Sequence, residues 1–465
     1  MHQPVEKRIT WVDSKHQRKK LFPYRLVPRP KHSRREVRCP VCKKFFASSD
    51  VEEHAIQCAD EKFANTVVCD DDESTSCSDG EDIGMEDTEV TITIKDVISS
   101  LAIDFKSETS IRIRRGNCFN DFVEKMSSPF MKRQSKNNAL RIIFYGEHGV
   151  DQGGVRRDFF TEAIQEIKDQ LFVSKEDGML PNIELYDDLA NGLFRNAGKL
   201  FAYSICENGP APNFLSPWVY DYIAGGLGMV LNRLPEKIED KTYQKIYKIR
   251  TEQELKDFCT SDEGIDVLSE IKYRSVPSSI KLKSKEFILR SLFAKWLNPY
   301  VPFIQEIAIG LEQYGFLQKI KEHPQSLKTL FCLHTDFDWT FDEVFELLEP
   351  DFSPENNTYR YKEINTFKAL SDALSDCYDL KGEENALTLS EVMKFITGCS
   401  SKPASGLPGK ITVIFEKYCP ENCRCKPTTS SCDIQIEVAL HYTTKRDMMI
   451  ALTDACRESK GMLRY

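Results

Sequence analysis

The sequence predicts an α+β protein: a large mixed helix–strand region and a compact C-terminal domain, preceded by a short cysteine-containing module and an acidic linker. Three observations carry this. Strand-like runs and longer helical spacings both recur beyond residue 91. A CxxC pair is followed at short range by a histidine and a cysteine. Residues 70–89 hold 10 acids and no base, a composition that does not build a core. At 465 residues the chain is too long for one core, and 41% hydrophobic with 29% charged residues describes a soluble globular protein with unstructured parts.

The formal net charge of −9 hides an asymmetry, because residues 1–44 carry 14 Lys or Arg against 3 acids. The basic arm, 1–35, includes Arg18-Lys19-Lys20 and Arg34-Arg35, a composition suited to nuclear targeting or nucleic-acid contact. No basic helix with interleaved aromatics follows, so nucleic acid is a minor expectation. No run approaches 18 apolar residues and the start is polar and basic, so no membrane span or signal peptide is expected. The expected location is nucleus, cytoplasm or both. Sixteen cysteines in a reducing compartment read as metal ligands, a nucleophile and buried thiols.

The module at 36–62 contains Cys39-Pro40-Val41-Cys42, eleven residues to His54, then three to Cys58. A CxxC turn aims two thiolates at one centre, and His54 and Cys58, four apart, share a helix face that closes a tetrahedron around Zn2+. So short a segment cannot fold on apolar burial alone, and metal would supply folding energy. The pattern resembles the ubiquitin-binding zinc fingers of DNA-repair ligases and nucleases. That resemblance implies a ubiquitin-facing helix near Glu52, Glu53, Ala55, Ile56 and Asp60. In the linker, 63–90, Val67-Val68-Cys69 followed by acids has the outline of a SUMO-interacting motif.

Within the large region (91–377), residues 90–94 and 140–145 read as strands, and 158–170, 283–297 and 302–320 as helices. Between Tyr145 and Phe160 lie Gly146, Gly149, Gly153 and Gly154, whose spacing is not a dinucleotide fingerprint. They let a strand turn sharply into a helix starting near Val155. In the C-terminal domain (378–465), strand-like 411–415 and 434–438 flank a polar loop ending in Ser430-Ser431-Cys432. A thiol at a loop end on a small sheet is reachable and able to form a thioester. On local chemistry alone a quiet cysteine is the default for any of the sixteen. Cys419, Cys423, Cys425 and Cys432 also lie close enough in sequence to be read together as a structural zinc site.

Residues 146–160 resemble the GExGxDxGGxxRxFF run of the HECT ubiquitin-ligase family. Gly192 to Leu200, then Phe395-Ile396-Thr397-Gly398-Cys399-Ser400-Ser401 with Pro403 and Gly406, resemble later family segments in the same order. Ser431-Cys432 resembles its nucleophile loop. Together with the finger, the chain is most similar to the G2/M-phase-specific ligases of that family. The resemblance implies a bilobed domain with a hinge near 376–383. The first lobe would recruit a charged ubiquitin-conjugating enzyme. The second would carry Cys432, which would take ubiquitin as a thioester and pass it to a lysine of a substrate protein.

The family's His-Thr before the nucleophile is Ser430-Ser431 here, and Met462 stands where its terminal Phe would be. Those departures keep an alternative open, a catalytically weakened HECT-like adaptor that binds ubiquitin and pathway partners. Thr429 and Ser431 are expected to hydrogen-bond the thiol or an oxyanion. His441, the nearest base in sequence, receives no role.

Overall fold

The computed structural model describes residues 36–38, 45–47 and 92–461, apart from 148–150, 152, 237, 384 and 421–422. The chain divides into two compact units, Met1–Thr88 and Glu89–Tyr465. In the first, β1 (Glu36–Arg38) pairs antiparallel with β2 (Phe45–Ala47), with Val37 opposite Phe46. These strands flank Cys39 and Cys42 in sequence. Those two cysteines, His54, Cys58, the basic arm and the Val67–Cys69 segment lie outside the described residues.

The second unit begins with α1 (Ile94–Ser99). Thr93 and Asp96 form a capping box, so Ile94 starts a helix where alternation suggested the end of a strand. Next, β3 (Asp104–Ile113), α2 (Cys118–Ser127) and β4 (Asn138–Phe144) form a parallel pair with a helical crossover. Ile111, Ile113, Leu140, Ile142 and Phe144 point into the core. The glycine loop then feeds α3 (Gly154–Leu171), which buries Phe159, Phe160 and Ile167 and leads into the hairpin of β5 (Phe172–Lys175) and β6 (Gly178–Pro181).

A helical layer follows: α4 (Tyr186–Ala190), α5 (Leu193–Cys206), α6 (Pro217–Asn232), α7 (Lys241–Lys248), α8 (Glu252–Thr260) and α9 (Asp262–Glu270). It continues with α10 (Ser284–Leu297), α11 (Val301–Gly310) and α12 (Phe316–Glu322). Helices α5 and α11 touch backbone to backbone, since a methyl on Gly198 would strike the Ile307 carbonyl and one on Gly310 the Arg195 carbonyl. The single helix expected over 302–320 is two, because Tyr314 and Gly315 take φ of +60° and +76° between them.

A second apolar core begins at Trp339. It gathers α13 (Phe341–Leu347), β7 (Leu348–Pro350), α14 (Arg360–Asp379), α15 (Leu389–Thr397), β8 (Ile411–Glu416), β9 (Thr428–Ser430), β10 (Gln435–Ala439) and α16 (Lys445–Gly461). The sheet order is β7-β8-β10-β9, with β8 parallel to both neighbours and β9 antiparallel to β10. The buried members of the first core run to Phe337 and those of the second begin at Trp339. Ala369, Leu370, Ala373, Leu374 and Cys377 of α14, which leads into residues 376–383, pack in the second core. Among the described residues no helix is long and apolar enough to cross a membrane.

Candidate functional site at the lobe seam

Cys432 lies half-buried in the turn joining β9 to β10. Ser430 closes that turn, its hydroxyl donating to Asp433 Oδ2 at 2.6 Å and accepting from Asp433 N at 3.4 Å. The β-branched Ile434 sits at φ +53°, an uncommon and strained backbone state. Burial of its side chain and a 3.0 Å bond from Thr412 N to its carbonyl hold it there. Thr429 does not serve the thiol as expected. Its hydroxyl donates to the Phe395 carbonyl at 2.9 Å and ties β9 to α15.

Three motifs that are far apart in sequence meet at this turn. The first is the start of α3. Gly154 lies against the Ser431–Cys432 peptide, where a Cβ would stand 2.5 Å from Cys432 N. Arg157, one turn on and 3% exposed, donates from Nη2 to the Ser431 carbonyl at 2.6 Å and from Nε to the Thr397 carbonyl at 2.8 Å. The second motif is Thr397-Gly398-Cys399, which ends α15. Gly398 takes φ +82°, the left-handed state that stops the helix, and its carbonyl accepts from Thr161 Oγ1 at 2.7 Å. The third is the Ser430-Ser431-Cys432 loop itself.

Burial lowers the Arg157 guanidinium's pKa, while the Cys399 and Cys432 thiols beside it pull the other way. A guanidinium keeps its proton at neutral pH, so a fixed cation stands next to the loop. The buried Cys399 is pushed up to about 12 by desolvation, with Arg157 opposing, and stays a thiol. Beside the seam, Lys394 of α15 faces Glu162 at 3.7 Å and Asp158 at 4.0 Å. Arg115 pairs with Asp158, and with Glu162 at 3.0 Å. Burial raises the Asp158 carboxyl's pKa, and Arg115 and Lys394 pull it down. Below, the buried Glu207 accepts from Arg156 Nη1 and the Tyr314 hydroxyl, each at 2.7 Å, and from Leu140 N. These bonds hold the start of α3 against β4.

His441 is not near Cys432. It follows β10 by two residues, at the end opposite the Cys432 turn. There it joins Cys419, Cys423 and Cys425 in a Cys3His cluster capable of coordinating a metal ion. The four-cysteine set is therefore corrected: the fold gathers His441 with Cys419, Cys423 and Cys425, and Cys432 is not among them. Sequence reasoning treated the glycine loop as scaffolding and missed Arg157 and Thr161 as direct supports of the Cys432 turn.

The description HECT-domain (ubiquitin-transferase) fits residues 158–464, where that family's model matches. A Gallus gallus protein named G2/M phase-specific E3 ubiquitin-protein ligase is 25% identical over 231 residues, 49% of this chain and 29% of that protein. Its Homo sapiens namesake is 19% identical over 319 residues, 67% of this chain and 43% of that protein. The aligned part is thus less than half the length of these curated relatives. The match over 158–464 covers about two thirds of the chain and takes in α3 from Asp158 onward, α15 and the Cys432 turn: the chain belongs to the HECT family.

Proposed function

We propose that this chain is a ubiquitin-protein transferase that carries ubiquitin as a thioester on Cys432. The convergence of Gly154 and Arg157, Thr397 and Gly398, and Ser431-Cys432 at one seam carries the reading. The Cys432 thiolate attacks the thioester carbonyl of ubiquitin held on a conjugating enzyme. The new C–S bond forms as that enzyme's thiolate leaves. A substrate lysine amine then attacks the same carbonyl, the amide forms, and Cys432 departs as thiolate. Arg157 supports this chemistry from the side. It fixes the carbonyl that precedes Cys432 and sets a positive charge beside a group that works as an anion.

The partners of this reading are a conjugating enzyme, ubiquitin and a protein substrate. At the other end, Cys39, Cys42, His54 and Cys58 would hold Zn2+ in a ubiquitin-binding finger, a reading supported by the β1–β2 pairing around the CxxC segment. Incubation with charged conjugating enzyme is expected to give a ubiquitin adduct released by thiol reductant. Cys432→Ser should convert it to a reductant-resistant ester or abolish it. An unchanged, reductant-sensitive adduct on Cys432→Ser would remove Cys432 from the mechanism.

A second reading is favoured by Ser430, whose hydroxyl closes the turn through Asp433 where the family has a histidine. The domain then captures ubiquitin and passes it on poorly, acting as an adaptor. Single-turnover discharge of the adduct to free lysine separates the two: prompt discharge supports the transferase, a long-lived adduct the adaptor.

A further inference from the structure

The segment from Lys417 to Pro427 joins β8 to β9 and leads directly to the Cys432 turn. It has little apolar burial to hold it, because Tyr418, its one large hydrophobic side chain, is 89% exposed. Its three cysteines nevertheless converge. Cys425 Sγ lies 2.8 Å from both Cys419 Sγ and Cys423 Sγ, and 3.9 Å from His441 Nε2. All four ligand atoms lie within 4.8 Å of one another and all four residues are half-buried. Cys425 N also donates to Cys423 Sγ at 3.4 Å, and the Tyr442 hydroxyl donates to the Cys425 carbonyl.

We infer that Cys419, Cys423, Cys425 and His441 form a structural zinc site that staples the β8–β9 segment to the end of β10. Cys419 and Cys423 are in contact as a disulfide pair. A disulfide uses two sulfurs and gives no reason for a third thiol and an imidazole nitrogen to close on the same point. A tetrahedral Cys3His site uses all four. The four residues arrive from two directions, three from the segment and one from the strand end, which is what a cross-link between elements requires. The three thiols each lose a proton on binding, Nε2 donates its lone pair, and no oxidant or reductant is consumed when the cysteines are reduced. Four protein ligands leave no open position, so the metal holds structure and does no chemistry. Cys432, at the far end of β9–β10, is outside the set and keeps its thiol.

The test uses the full chain purified under reducing conditions, with Cys39→Ser and Cys42→Ser introduced to silence the amino-terminal ligands. Elemental analysis is expected to find about one zinc per chain in that protein. Adding Cys425→Ser or His441→Ala should remove it, whereas His441→Cys should keep it and Cys432→Ser should not change it. Replacement of zinc by Co2+ should give the visible bands of tetrahedral thiolate coordination, a readout that needs no further substitution. Absence of metal from the double-serine protein would overturn the inference. So would zinc that survives both Cys425→Ser and His441→Ala, or an intact mass two hydrogens light that maps to a Cys419–Cys423 bond. None of these outcomes depends on whether Cys432 is acylated.

Discussion

Arg157 Nη2 stands 2.6 Å from the carbonyl oxygen of Ser431, so a side chain of the first lobe grips the peptide next to the thiol of the second. The same guanidinium bonds Thr397 O at 2.8 Å, and the whole side chain is buried. Arg157→Ala would leave two carbonyls without their charged donor. The expected cost is about 2–4 kcal/mol, at about 1–3 kcal/mol for each unsatisfied buried group with partial relaxation. Thermal unfolding should report that loss. Arg157→Lys supplies one point donor where the fork made two bonds, and should recover only part of it. In single-turnover loading, adduct formation at Cys432 should slow in the order wild type, Lys, Ala.

Gly154 tests the seam without removing a charge. Alanine suits the first turn of a helix, so α3 itself should form as before. The added methyl, however, would stand 2.5 Å from Cys432 N and press on the Ser431 carbonyl carbon, both backbone. Gly154→Ala should therefore push the Cys432 turn off α3. The expected signs are faster proteolysis or hydrogen exchange in residues 428–436, slower ubiquitin loading, and a small change in the stability of the first core. Loading at the wild-type rate would mean that this contact is not part of the reactive arrangement.

The sequence showed the pieces of this site better than their meeting. The start of α3 and the loop ending in Cys432 were visible locally, through glycine spacing and the strand-like runs on either side, while residues 395–401 were visible only as a family resemblance. Their convergence was not, because Arg157 and Ser431 are 274 residues apart and nothing local couples them. The packing of α14 was hidden for a related reason. The polar end of α14 looks like a hinge, but its buried face from Ala369 to Cys377 assigns it to the second core. His441 was given no role because a histidine sixteen residues beyond Cys425 completes no short metal-binding motif. The strand read over 90–94 followed its alternation alone and took no account of the Thr93–Asp96 capping box that starts a helix at Ile94.

Acid should weaken the second lobe through Glu363. This wholly buried carboxylate accepts from Ser353 N at 2.7 Å and the Ser353 hydroxyl at 2.6 Å, with Lys417 Nζ 3.3 Å away. Burial pushes its pKa up, but the two Ser353 bonds and Lys417 outweigh burial, and the net displacement is downward from 4.5. A depressed folded-state pKa means stability that is present above the unfolded value and is lost as pH falls through the folded one. Unfolding measured from pH 7 to pH 3 should show this loss below about pH 4.5. Glu363→Gln should be less stable at pH 7, by about 1–3 kcal/mol, and should lose less on acidification.

Two cysteines flank Arg157, and only one of them is fit to carry an acyl group. Cys399 is fully buried, and desolvation pushes its thiol up to about 12. Burial therefore keeps it in the thiol form, and the thiolate is the form that attacks. Cys432 is half-buried and lies in a turn, so a partner can approach it. Cys399→Ala removes one buried sulfur at a cost of about 1 kcal/mol and should leave the reductant-sensitive adduct within about twofold of wild type. Cys432→Ala should abolish it. Brief alkylation of the folded chain followed by peptide mapping should label Cys432 and spare Cys399. If the labels or the adduct track Cys399 instead, the seam has been assigned to the wrong sulfur.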